Sequence, residues 1–133
     1  MAVRDFEYVS AAFLTRFFVG ALLLTGGVNK FMGGYMNFVD QLTGMFAQSW
    51  IPQVAISPIA YALPIIEIVL GILLVLGLWS DKLLLLAGLL FILFTIGNMA
   101  GGMMDLMAYN TVYLLVISFA LYLHGYDDWR LGR

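Results

Sequence analysis

The chain has 133 residues, of which 63% are hydrophobic and only 11% charged, and its mean hydropathy is +0.99. A water-soluble domain of that size cannot hide so much apolar surface, because small domains leave a large share of their area exposed; the class is integral membrane protein. The net charge of −2 leaves no nucleic-acid footprint, and the absence of cysteine removes disulfides, thiolate metal ligands and thiol chemistry.

The N-terminus, MAVRDFEYVS, carries two acids before the apolar sequence and no small-residue cleavage motif follows it. The first apolar stretch therefore reads as a retained helix and not as a signal peptide. Crossing a hydrocarbon core takes about 20 helical residues. Four stretches meet that length, at about 11–32, 59–79, 83–104 and 109–124, the last with room to start a few residues earlier. Only Ser80, Asp81 and Lys82 separate the second from the third. With no alternating strand pattern and such short connections, the expected fold is all-α: a single transmembrane domain over 1–133, built as an antiparallel four-helix bundle.

Between the first two spans lies a long loop, 33–58. Within it Tyr35, Phe38, Val39, Leu42, Met45 and Phe46 recur at helical spacing, with Asn37, Asp40, Gln41 and Gln48 between them. The pattern predicts an amphipathic helix in the membrane interface, anchored by Trp50, or alternatively a segment folded over the bundle mouth. Pro52 and Pro58 are expected to break the chain before the second span. Arg4, Lys82, Arg130 and Arg133 flank one side of the spans and Lys30 the other. The positive-inside rule then places both termini in the cytoplasm and the long loop outside, in a multi-pass protein of the cell inner membrane.

Each span gathers its polar and small residues on one helical face. These stripes are Arg16, Gly20, Leu23, Gly27 and Lys30; Pro64, Glu67, Gly71, Leu74 and Leu78; Gly88, Phe91, Thr95, Asn98 and Gly102; and Asn110, Tyr113, Ile117, Ala120 and His124. Those faces must turn inward. Glu67 is the acid that stands out, because an ionised carboxylate deep in a bilayer is costly and marks a ligand, proton or ion site, or else a lock between helices. At 1.5 Å per residue, Glu67 lies roughly 12 Å below the outer boundary and Arg16 roughly 8 Å below the inner one. A direct Arg16–Glu67 pair is disfavoured by that separation, which is about a third of the membrane.

Matching depths predict two polar groups. The outer one surrounds Glu67, as candidate proton carrier, with Asn98, Asn29, Lys30, Asn110 and Tyr113 as candidate ligand-binding residues. The inner one holds Arg16 and His124, with Tyr122 nearby. Arg16 and His124 also read as interfacial residues, and the G-x-x-x-G formed by Gly97 and Gly101 as a packing site. The single histidine excludes a bis-histidine haem within one chain, and no metal-spaced cluster, nucleophile–base pair or phosphate loop is present.

The stretches LTRFFVGALLLTGGVNKF at 14–31 and ALPIIEIVLGILLVLGL at 62–78 resemble the DoxX family of small four-helix membrane proteins. The resemblance rests on Arg16, Gly20, Gly26, Lys30 and Phe31, on Pro64, Glu67, Gly71 and Gly77, and on Asn110, Tyr113 and Leu114. It implies a role in respiratory or redox metabolism, as in the related DoxD subunit of a thiosulfate:quinone oxidoreductase. Broader relatives include MauE-like proteins, which serve maturation of a periplasmic enzyme; the lack of cysteine counts against thiol exchange of that kind. Three functions follow as expectations: a quinone-interacting subunit of an oxidoreductase complex, a non-enzymatic structural or assembly subunit, or a small transporter. All three place the chain in lipid, as a homo-oligomer or within a larger membrane complex, with quinone as the candidate ligand.

Overall fold

A computed structural model describes residues 3–131 except 48, 101 and 103, with side chains described outside 3–5 and 104–107. Five α-helices follow in order: α1 (Val3–Met32), α2 (Tyr35–Met45), α3 (Gln53–Leu76), α4 (Ser80–Ala100) and α5 (Met104–Tyr122), then a 3₁₀ turn, His124–Tyr126. No strand occurs among the described residues. Three segments are long and apolar enough to cross a membrane, Phe6–Met32, Gln53–Leu76 and Ser80–Ala100, and a shorter apolar helical segment covers Ala108–Tyr122. The chain is a multi-pass helical membrane protein.

Helix boundaries depart from the sequence reading at three places. α3 starts at Gln53, six residues before the expected 59, because Pro52 adopts extended geometry as its N-cap and Pro58 sits inside the helix. A proline within the second turn costs one backbone hydrogen bond, and here the helix continues through it. α1 begins at Val3, eight residues before the expected span. α4 ends at Ala100 and not at 104, with Gly102 in a left-handed conformation (φ 76°). The amphipathic segment is helical as expected, and its placement favours folding over the bundle: Val39 is buried, the Tyr35 hydroxyl donates to the Tyr61 carbonyl of α3, and Gln53 Nε2 donates to the Thr43 carbonyl at 3.0 Å.

α1 packs most extensively on α3, and α4 on α5. Glycine makes the first of these contacts close. A Cβ on Gly71 of α3 would stand 2.5 Å from the Leu24 nitrogen of α1, and one on Gly27 would stand 2.9 Å from the Pro64 carbonyl oxygen. Without a hydrophobic driving force between helices in lipid, such backbone approach and dispersion contacts supply the association energy. The first two predicted stripes are packed faces: Arg16, Gly20, Leu23 and Gly27 are all buried, as are Pro64, Glu67, Gly71 and Leu74, whereas Gly102, expected inward on the third, is exposed because α4 ends at Ala100. A core of Val19, Leu23, Leu70, Leu74, Leu84, Ala87, Phe91, Ile117 and Ala120 joins α1, α3, α4 and α5.

Candidate functional site

Two ion pairs sit at opposite ends of the α1–α3 contact. At the α2 end, Lys30 in the last turn of α1 donates from Nζ to Glu67 Oε2 at 2.7 Å. The Glu67 side chain is 6% exposed and that of Lys30 25%. Lys30 also lies over the Phe38 ring of α2, 5.4 Å from its centroid, a cation–π distance. At the other end, Arg16 Nε donates to Asp127 Oδ2 at 2.5 Å, with side chains only 1% and 2% exposed. Its remaining nitrogens donate to the carbonyls of Leu74, Val75 and Trp129. Arg16 and Glu67 do not pair, in line with their difference in depth.

A cavity of about 690 Å³ lies at the α2 end, between the α1–α3 and α4–α5 pairs. Phe38 and Leu42 of α2 with Phe46 just after it form one wall, Ile56, Ile59 and Leu63 of α3 another, and Trp50 and Ile51 of the connecting segment complete it. Polar side chains interrupt this apolar lining: Lys30, Asn98, Tyr109, Asn110 and Tyr113. Asn110 is 9% exposed, and its Nδ2 is buried with no hydrogen-bond partner. A buried donor left unpaired costs free energy unless something completes it. Tyr113 is fixed from behind by Phe91, ring centroids 5.6 Å apart.

Most of the predicted outer group is thus assembled. Lys30, Asn98, Asn110 and Tyr113 face one cavity, while Glu67 stands behind the wall and reaches it through Lys30. Asn29 is exposed, with its carbonyl accepting from the Gly33 N–H at 2.9 Å, and it does not join the wall. Residue 29 is adjacent to the inward stripe but rotated about 100° from Lys30, which turns it away from the interior. Phe46, the C-cap of α2, lies against Gly97: a Cβ there would touch its ring at 3.4 Å, ordinary van der Waals contact. Gly101 lies outside the described residues.

The inner group needs more revision. Asp127, in the segment after α5, is the partner of Arg16, while Tyr122 is exposed. His124 instead meets Arg130, whose Nη1 donates to the ring Nε2, and the His124 carbonyl accepts from the Asp127 N–H at 3.1 Å. Burial lowers the His124 pKa from its ordinary 6.5, and the Arg130 cation pushes the same way. The signal available in the sequence for Asp127 is an acid just past the last span, on the same side of the membrane as Arg16, in a polar DDWR segment.

A polytopic helical membrane protein with a mostly apolar cavity lined by a small set of polar side chains is the class that fold and site define. Within that class the family model for methylamine utilisation protein MauE matches residues 8–111. The chain belongs to the MauE family. No curated protein and no solved structure matches it. The assignment to DoxX is therefore corrected, since no DoxX model matches. Its motif residues are ones that close packing of two membrane helices uses: glycines where backbones touch, and a cation at each end of the α1–α3 contact that meets an acid. Such residues report packing more than ancestry.

Proposed function

We propose that this chain is a membrane accessory protein of amine-linked redox metabolism whose cavity holds a neutral, apolar ring bearing carbonyl acceptors, the quinone class. The observation that carries this reading is an otherwise apolar cavity of ligand size with the Asn110 side chain among its lining residues. Asn98, Tyr113 and Lys30 supply further donors around the same space. Membership of a family named for methylamine utilisation supports the redox setting. Glu67 touches Lys30 and not the cavity, so proton exchange through Glu67 would run along that pair.

The remaining architecture is read with it. α5 serves as a fourth span beside the three long ones, giving a four-helix bundle. The excess of Arg and Lys around Arg4, Lys82, Arg130 and Arg133 supports cytoplasmic termini in the inner membrane, which puts the cavity and α2 in the outer half.

Equilibrium binding of decylubiquinone to the purified protein in nanodiscs tests the reading. Saturable binding that Asn110→Leu weakens about tenfold, the loss of one well-placed hydrogen bond, is the expected result. No saturable binding, or equal binding by the variant, overturns it. A structural or assembly subunit is the second reading, favoured by a family name that denotes a process and no reaction. It would show stoichiometric co-purification with redox subunits and full complex activity in the Asn110→Leu variant.

A further inference from the structure

The cavity has one charged side chain in its wall among the described residues, Lys30, and that charge is cancelled from outside the wall. Glu67 rises from α3 behind the lining and meets Nζ at 2.7 Å, leaving the ammonium with two further protons to donate. The position of the acid is fixed by packing. Gly27 lets α1 approach the Pro64 carbonyl, one turn before Glu67, and a Cβ built on the adjacent Gly26 would stand 3.8 Å from Nζ and 4.0 Å from Oε1, which places the pair beside this stretch of α1. A bare lysine in an apolar cavity would select anions, since an ammonium facing a carboxylate out of water is a strong pairing. A lysine already paired offers hydrogen bonds with little net field.

We infer that the Lys30–Glu67 pair is the specificity device of this cavity: Glu67 neutralises Lys30 so that the site takes neutral carbonyl- or hydroxyl-bearing amphiphiles and rejects anionic ones such as ionised fatty acids. This rests on the reading of the cavity as a ligand site. It adds a role for Glu67 that requires no contact with the ligand, which makes Glu67 a positioning residue. Removing the acid exposes the cation and reverses the preference.

The test compares equilibrium binding of radiolabelled dodecanoate and dodecanol, at pH 8.5 in the same detergent, to wild type, Glu67→Gln, and the double variant Lys30→Met with Glu67→Gln. Taking the ratio of the two affinities cancels partition into the micelle. Glu67→Gln should shift the ratio toward dodecanoate by about tenfold, the scale of one charge-assisted hydrogen bond. The double variant, which has no charge at either position, should keep the wild-type ratio. An unchanged ratio in Glu67→Gln overturns the inference. If that variant does not fold, the double variant decides alone: a dodecanoate affinity tenfold below wild type relative to dodecanol means that Lys30 attracts anions in the native protein, and the inference falls. Failure of the quinone reading shows separately, as an inability of decylubiquinone to displace dodecanol from wild type.

Discussion

The two ends of the α1–α3 contact use the same chemistry to opposite effect. Arg16 with Asp127 and Lys30 with Glu67 are both interhelical or helix-to-tail ion pairs out of water. The arginine is nearly spent: four of its five N–H donors take one carboxylate and three carbonyls. The lysine holds one acid and keeps donors facing a cavity of about 690 Å³. A guanidinium with a fixed fork closes a structure, whereas an ammonium on a flexible stem leaves one open. The difference teaches that a buried ion pair becomes a site through what its cation has left to give.

The largest effect should come from breaking the closed end. Asp127→Ala leaves Arg16 buried without its counter-charge and should destabilise the protein by about 3–5 kcal/mol, read as thermal unfolding in detergent. A small loss there would mean that the three carbonyls suffice to hold the guanidinium. Next comes the contact joining the two ends: Gly71→Ala forces a methyl to within 2.5 Å of the Leu24 nitrogen and should cost about 1–3 kcal/mol by separating α1 from α3. That variant should also weaken ligand binding, because the register of Lys30 on Glu67 depends on the same contact.

The open end should respond differently. Asn110→Leu is expected to lose ligand affinity while thermal stability stays equal or rises slightly, since it removes an unpaired buried donor. A marked loss of stability there would show the amide to be structural and would erase the contrast between the ends. The smallest effect concerns pH at the closed end. The folded protein holds His124 neutral over a range in which the unfolded chain, titrating near the ordinary value of 6.5, is protonated. Stability present above that pH should decline as pH falls through the depressed folded value. The His124→Gln variant should flatten this part of the profile, as followed by unfolding temperature between pH 7.5 and 5.

What was legible in the sequence was the set of faces. Helical periodicity places Arg16, Gly20, Gly27, Glu67 and Gly71 inward, and depth along the helix separates Arg16 from Glu67 without any structure. It also brings Asn98, Asn110 and Tyr113 to one end. Rotation within a loop-adjacent turn was harder, which is why Asn29 was grouped with Lys30 although it points outward. The partner of Arg16 was missed for a different reason. Periodicity speaks only for residues on a helix, and Asp127 lies beyond α5 in a segment whose path back across α1 and α3 is set by tertiary contacts: Tyr126 stacking on Tyr8, Trp129 edge-on to Phe6 and Phe13, and the Leu131 N–H donating to the Leu76 carbonyl at 3.0 Å. The family was misjudged because its visible residues are packing residues.

Arg16 and Asp127 stand 111 positions apart in the chain. Since a polypeptide is made from its N-terminus, the guanidinium enters the membrane long before its carboxylate exists. Until residue 127 is made, the first helix carries a buried cation with no protein counter-charge, which only the Leu74 and Val75 carbonyls of α3, water or lipid phosphate can solvate. The pair forms when the segment after α5 folds back against α1. Arg16 is in this sense a timer on biogenesis: a chain that stalls before residue 127 keeps an unmatched cation in its first helix, a mark by which an incomplete product differs chemically from a finished one.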